Sequence, residues 1–373
     1  MNNEGSSHVP RGVVMTYPNR SHEPLHERRV HAALAERLAA LLGYRYAGDY
    51  TPGAAPAGHV YLVPSGTIVG SSEARELGLE SEQDLFGGLV PHPFVQTKAI
   101  THPLVRSEAD APVGWSREFC AEVRDSVLPG YSAFTLADAR DAGLRLLHDG
   151  PLRLKPVRAT GGRGQVEVAD QAALDQALAE LDAHELETYG LVLESNLDQV
   201  TTFSVGQVRV GEQLASYYGT QRLTEDNGGQ QVYGGSDLVV VSGDFDALLR
   251  CELDDATRLA IRQAQVYDRA ARSAYRGLIA SRRNYDIAQG VDPRGRLCSG
   301  VLEQSWRIGG ASGAEIAALG LLREDPARVV RAATRECYGE GCAIPPNAEV
   351  LFRGEDAEVG FLTKYVVLEH GNP

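Results

Sequence analysis

Two stretches constrain the chain most: KPVRATGGRGQ at 155–165 and VLEQSWRIGGAS at 301–312. The first puts Lys155 at the end of an apolar approach, with Gly161, Gly162 and Gly164 just behind it. The second puts Glu303, Arg307 and a Gly-Gly pair behind an apolar strand. Handling phosphate takes cations and a loop of free backbone N–H donors, whereas holding a hard metal ion takes carboxylates on a rigid element. The two stretches lie roughly 150 residues apart, so only the fold can bring them together, and a cleft between two lobes is the natural arrangement. The glycine loop is not a Walker loop, because GxxxxGK[ST] is absent. It is not a dinucleotide fingerprint either, because a strand-like VEV follows it where a helix would be needed. A glycine loop between two strands can instead act as a flap over phosphates, with Lys155 adding a point charge.

The bulk composition excludes some partners. With 36 basic and 50 acidic residues the net charge is −14, a long-range field that repels nucleic acid and anionic membrane. No apolar run is long enough to span a bilayer, and MNNEGSSHVPRG at the N-terminus lacks the apolar core of a secretory signal. The five cysteines are odd in number and scattered, which suggests reduced thiols and a cytoplasmic location. Cys337 and Cys342 have no second pair to complete a metal knuckle.

The length, 373 residues, favours two or three domains. GVVMT (12–16), the amphipathic stretch 26–43 and HVYLVP (59–64) read as strand, helix and strand, with Gly43 as the helix stop. This begins an N-terminal α/β domain, 12–112. A small α+β lobe, 113–195, follows. It holds a helix capped by Thr135, the strand PLRLKPV, the glycine loop, QVEVAD, a helix and the strand GLVLES. The third block, 196–373, reads as long antiparallel strands, an amphipathic helix over roughly 254–278, and a DPRG turn between two strands. The Gly- and Tyr-rich segment 217–241 fits either a wide hairpin or a flap over a substrate.

This order of parts resembles the ATP-grasp superfamily over about residues 12–320, and specifically an uncharacterised bacterial branch similar to biotin carboxylases and carboxylate–amine ligases. The resemblance is strongest at 85–102, 150–200 and 281–315. It implies a mixed α/β, ATP-grasp fold in which ATP lies between a small central lobe and a larger C-terminal lobe. DLFGGLVPHPFVQTKAITHPL would carry a first phosphate lysine, Lys98. KPVRATGGRGQ would carry the second, Lys155, and the flexible loop of Gly161, Gly162 and Gly164. The backbone around Val192, Leu193 and Glu194 would meet adenine. Asp286 and Glu303 would hold Mg²⁺ (or Mn²⁺), and Arg307 would stabilise the transferring phosphoryl group or the acyl phosphate. The implied reaction is ADP-forming ligation: a small carboxylate is activated as an acyl phosphate and attacked by an amine or similar nucleophile.

The chain departs from the family pattern at one ligand. Where the family has Glu-x-Asn, this chain has Glu303–Gln304–Ser305, so Ser305 stands in as a weaker metal ligand. Ribose recognition falls to Asp198 or Thr202. A nucleotide-binding sensor without turnover and a small-molecule kinase are the rival readings. Arg222, Arg282 and Arg283 are candidates for an acidic substrate or for solvated surface. His92 and His102 read as loop structure, and Arg307 has the alternative of pairing with Glu303. A homodimer is a further expectation, through pairing of the tail strand FLTKYVVLEH.

Overall fold

The computed structural model describes residues 11–53, 56, 58–158 and 164–369. Strands β1 (Gly12–Tyr17), β2 (Arg45–Asp49) and β3 (His59–Pro64) form a parallel sheet in the order β2-β1-β3. The helix Leu25–Leu42 covers it with Leu34, Ala35, Leu38 and Ala39, and ends at Gly43, whose φ of 69° admits the left-handed stop. Sequence reading misses β2 because RYAGD has exposed ends and lacks the apolar alternation of a buried strand. A second small sheet joins β4 (Ile68–Val69) and β5 (Gly88–Val90) to β13 (Ile279–Ala280), a strand from far down the chain.

Strands β6 (Gly130–Ala133), β7 (Leu152–Pro156), β8 (Val166–Val168) and β9 (Leu191–Ser195) form a four-stranded sheet, ordered β6-β9-β7-β8. Thr135 caps the helix Leu136–Leu147 by accepting from the Asp138 N–H. The chain from β7 to β8 is an antiparallel connection that contains the glycine loop.

The remaining strands build one eight-stranded sheet: β10 (Asp198–Val210), β11 (Gln213–Glu225), β12 (Gln231–Ser242), β14 (Arg282–Val291), β15 (Leu297–Ser305), β16 (Val330–Tyr338), β17 (Ala348–Asp356) and β18 (Gly360–Glu369). Their order is β15-β14-β10-β11-β12-β16-β18-β17, and every pair is antiparallel. The helix Asp255–Ala274 packs apolar residues on the face that holds Tyr285 and Ile287. The helix Ser312–Glu324 covers the face that holds Tyr217, Leu238 and Val240.

Two expectations are corrected, and one of two open readings holds. The tail strand is not free to pair with another chain, because β18 is flanked by β16 and β17; the edge is β17. Cys337 and Cys342 are disulfide-bonded, so the chain is not a set of reduced thiols; Cys120, Cys251 and Cys298 are free. The segment 217–241 is a β-hairpin, and Asn227 at its tip donates to the carbonyl of Phe361.

One bulge in that hairpin depends on glycine. Arg222 faces Gly235 and Leu223 faces Tyr233, so Gly234 is an extra residue. Gly235 has φ 130°, and a Cβ there would lie 2.0 Å from the Thr334 carbonyl oxygen. Gly235→Ala is therefore expected to destabilise the protein by about 2–3 kcal/mol through backbone strain and the clash. Denaturant unfolding at constant m-value checks this, and a loss under about 0.5 kcal/mol would contradict it.

Candidate functional site

The floor of the site is the pairing of β14 with β15. Asp286 faces Glu303, and Asn284 faces Ser305, while one step further along Ile287 faces Val301. Leu302 is thus an extra residue on β15. Without this bulge Asp286 would face Leu302, and Glu303 would turn to the opposite side. The bulge brings the two carboxylates together, and the alternation of the strands puts Asn284 and Ser305 on the same face.

The Asp286 carboxyl is pushed above the ordinary carboxylate range, first by burial and then by the facing Glu303 charge. Hydrogen bonds hold it in place: its Oδ1 accepts from Ser204 Oγ at 3.1 Å and from Asn284 Nδ2 at 2.9 Å. Gln221 Nε2 in turn donates to Ser204 Oγ at 3.1 Å. Two facing carboxylates suit a divalent cation. No group of three or more His, Cys, Asp or Glu residues is gathered for a metal among the described residues. A donor set of two carboxylates fits Mg²⁺, which commonly takes one or two carboxylates and completes its shell with water and substrate phosphate oxygens.

Arg282 anchors this floor. Burial alone would lower its proton affinity, but the Glu315 carboxylate more than offsets that. Arg282 Nη2 donates to Glu315 Oε1 at 2.7 Å and Nη1 to the Arg307 carbonyl at 2.8 Å, while Nη1 stands 3.4 Å from Ser305 Oγ. Tyr217 Oη lies 2.6 Å from Glu315 Oε1 and 2.9 Å from Asn284 Oδ1, and burial followed by the Glu315 charge keeps its phenol protonated. Gly206 makes room for this ring, since a Cβ there would sit 2.3 Å from Tyr217 Oη.

The opposite wall carries the lysines. Lys98, buried in a helical turn at 98–101, reaches Glu303 Oε2 at 2.6 Å. Lys155, on β7 and also buried, is paired with Glu194 on β9, whose other oxygen lies 3.0 Å from His102 Nε2. The segment 98–102 therefore touches both sheets, Lys98 on the large one and His102 on the small one. His102, read from sequence as loop structure, is wholly buried against Glu194.

The other candidates fall as follows. Val192, Leu193 and Glu194 lie in β9, an interior strand paired with β6 on one side and β7 on the other. Their backbone groups are engaged in these two ladders, and what reaches toward Lys155 is the Glu194 side chain. Gly161 and Gly162 lie outside the described residues; Gly164, at φ 68°, is described. Arg307 is half-buried and donates to the Ile308 carbonyl at 3.0 Å. It has no carboxylate within ion-pair distance among the described residues, and so does not pair with Glu303. Burial, then the Arg20 and Arg282 charges, lower its proton affinity. Neither Arg282 nor Arg283 is solvated surface: both are wholly buried, Arg283 against Gln207 and Asp268. Arg222 pairs with Asp237. Asp198 is exposed at the start of β10, and Thr202, further along the strand, is half-buried.

Sequence reading did not single out Ser204, Gln221, Asn284, Gln304 or Glu315. Ser204, Asn284 and Glu315 are buried polar residues close to the motifs in space. Only Asn284 had a usable signal, since it precedes Asp286 by two residues and must share its face.

The Glu194 carboxyl makes a pH prediction. Burial pushes it up, but the Lys155 charge and the His102 hydrogen bond outweigh that and bring it down to about 2. A depressed folded-state pKa contributes stability that is full above the ordinary value of 4.5 and drains away as pH falls toward about 2. Wild-type stability is therefore expected to fall more steeply between these pH values than that of Glu194→Gln. Parallel curves from urea titrations across this window would refute the pairing.

Comparison with known proteins bears on the fold. Biotin carboxylase from Campylobacter jejuni, in a structure described as a β,γ-ATP complex, is similar with a TM-score of 0.51 at 10% identity, over 97% of this chain and 88% of that one. Phosphoribosylamine–glycine ligase from Thermotoga maritima is similar with a TM-score of 0.50 at 13% identity, over 96% of this chain and 92% of that one. The fold is therefore ATP-grasp. No curated protein matches the chain. A family model described as "Protein of unknown function (DUF3182)" matches residues 14–366, and the chain belongs to that family.

Proposed function

We propose that the protein is an ATP- and Mg²⁺-dependent, ADP-forming ligase that activates a small carboxylate. The observation that carries this reading is the meeting of Lys98 with Glu303, directly opposite Asp286. A phosphate cation and a pair of metal-type carboxylates converge from segments that nothing in local structure requires to meet.

Asp286 and Glu303 would hold the metal, with Ser305 beside them. Mg²⁺ held by these residues would supply positive charge to offset the negative charge that develops during phosphoryl transfer. Lys98 and Lys155 would exchange their present carboxylate partners for phosphate oxygens. Gly161, Gly162 and Gly164 belong to the loop that would close over those phosphates. Arg307, a half-buried cation with no carboxylate within ion-pair distance among the described residues, would neutralise the transferring phosphoryl group. In the reaction a substrate carboxylate oxygen attacks the γ-phosphorus, the bond to the ADP oxygen breaks, and the acyl phosphate is then open to an amine or similar nucleophile. That nucleophile displaces phosphate and loses its proton.

The rival reading, a nucleotide-binding sensor without turnover, draws on Ser305. Its hydroxyl sits within the reach of Arg282 and is a poorer metal ligand than the amide it replaces. Turnover separates the two. Glu303→Ala is expected to reduce ADP release at least about 100-fold, the scale of losing a residue that positions transition-state charge. It should leave the thermal unfolding temperature within a few degrees. ADP release at the wild-type rate by a folded Glu303→Ala protein would sink the assignment of Glu303. Mg²⁺-dependent ATP binding with no ADP formation on any carboxylate and amine would favour the sensor.

A further inference from the structure

A cavity of about 600 Å³ lies beside the small sheet that joins β4, β5 and β13, and none of Lys98, Lys155, Asp286, Glu303 or Arg307 lines it. Its floor is apolar. Ile279 faces Leu89 in the β13–β5 register, so both side chains stand on one face of that sheet. Ala74 and Leu79 pack with them from the helix Ser71–Glu76 and the turn that follows it. The walls thus come from the N-terminal domain, from the link between β5 and Lys98, and from the segment 276–279 ahead of β13. The space is within the range of roughly 300–1,000 Å³ that small-molecule sites occupy. At about 30 Å³ for one water, it has room for roughly twenty non-hydrogen atoms.

The mouth is basic. Arg75 and Arg276 both line the cavity and are exposed, and neither guanidinium has an ion pair or a hydrogen bond among the described residues. The half-buried His92 ring stacks on Phe94 at 5.8 Å, and its nitrogens have no hydrogen-bond partner among the described residues. The surroundings reinforce this sign of charge. Arg262, Arg269 and Arg272 are exposed on the helix Asp255–Ala274, which runs up to Arg276, and none of them has an acid partner among the described residues. In a protein of net charge −14 such a cluster is a local reversal of the overall field. The entrance is open: a Cβ added to Gly78 or Gly277, which both line the cavity, would meet nothing within 4 Å.

These features select a ligand class. A neutral apolar molecule would leave two guanidiniums unused, and a cation would be repelled by them. A polyanion would meet Glu80 in the lining and Glu73 and Glu76 on the same short helix as Arg75. A single negative charge on an apolar body satisfies both the floor and the mouth.

We propose that this cavity binds an amphipathic monoanion, an alkyl or aryl carboxylate. The apolar body lies on Leu79, Leu89 and Ile279, and the carboxylate is met by Arg75 and Arg276. The site is separate from the cleft, and its assignment does not rest on the ligase reading.

Isothermal titration of the full-length protein tests it, with hexanoate, octanoate and decanoate, each set against the alcohol and the amine of the same length and kept below micelle formation. One-to-one binding is expected. Decanoate should bind about tenfold more tightly than octanoate, the scale of burying two methylenes. Octanoate should bind about tenfold more tightly than octanol, the scale of one charge-assisted hydrogen bond, and octylamine more weakly than either. Replacing both exposed arginines, Arg75→Ala with Arg276→Ala, should bring each acid to within about threefold of its alcohol and leave the alcohol unchanged. Binding of the acids should persist in saturating Mg²⁺ and a non-hydrolysable ATP analogue. Binding of no acid, an acid no tighter than its alcohol, or a full preference kept by the double variant overturns the proposal. Displacement of the acid by the nucleotide analogue places it in the cleft and overturns the proposal as well. A missing heat for the analogue counts against the nucleotide reading alone and leaves the acid–alcohol comparison decisive.

Discussion

The cleft depends on how Gln304 holds the turn that carries Lys98. Gln304 points to the face of β15 opposite Glu303, where its Nε2 donates to the carbonyls of Val95 at 3.0 Å and Thr97 at 2.7 Å. Tyr267 Oη lies 3.1 Å from Gln304 Oε1 and 3.0 Å from Thr101 Oγ1, closing a fully buried loop of polar contacts. Buried amide groups are costly when unpaired, so this network fixes the turn in one place. Lys98 then extends toward Glu303, and the His102 ring meets Glu194. Through four or five residues the large sheet, the small sheet and both candidate lysines are set relative to one another.

The second constraint is the bulge at Leu302. Period-2 alternation gives each strand residue a fixed side, and a single extra residue exchanges those sides from that point on. Val301 can therefore face the helix Asp255–Ala274 in the apolar core while Glu303, two residues later, faces Asp286 on the other side of the sheet. Gln304, after the bulge, falls on the core side opposite Tyr285. One local irregularity thus explains both an acid in the cleft and an amide in the core within consecutive positions.

The long apolar elements were legible from sequence because their periodicity is strong: β1, β3, the helix Leu25–Leu42 with its Gly43 stop, and the helix capped by Thr135. β2 was not, because RYAGD alternates poorly. The motif residues Lys98, Lys155, Asp286, Glu303 and Arg307 could be named from their local patterns and the resemblance they carry. Which of them would touch could not, because the pairing of Lys98 with Glu303 depends on Gln304 and on a bulge that no local pattern announces. Glu315, which holds Arg282 from a later helix, reads in sequence like any carboxylate in a first helical turn. The pairing of Cys337 with Cys342 was missed because compartment was inferred from an odd count, although two cysteines at opposite ends of a short loop can meet whatever the other three do.

Charge pairing suggests how such a cleft could recognise a nucleotide in a protein of net charge −14. Lys98 is held by Glu303, Lys155 by Glu194 and Arg282 by Glu315, so three buried cations are already neutralised. Removing one partner of a fully buried pair such as Lys155–Glu194 or Arg282–Glu315 leaves an uncompensated charge and costs about 3–5 kcal/mol, whereas the partly exposed Glu303 makes the loss at Lys98 smaller. A triphosphate arriving without a metal would draw Lys98 away and leave Glu303 facing Asp286 with no counter-charge. On the proposed reading Asp286 and Glu303 would hold a divalent cation and Lys98 would turn to phosphate, so each group freed from the pair would find a counter-charge. On the same reading, the Lys98–Glu303 pair would stand in for the bound state: it would keep both groups oriented and would make metal-free nucleotide the weaker ligand.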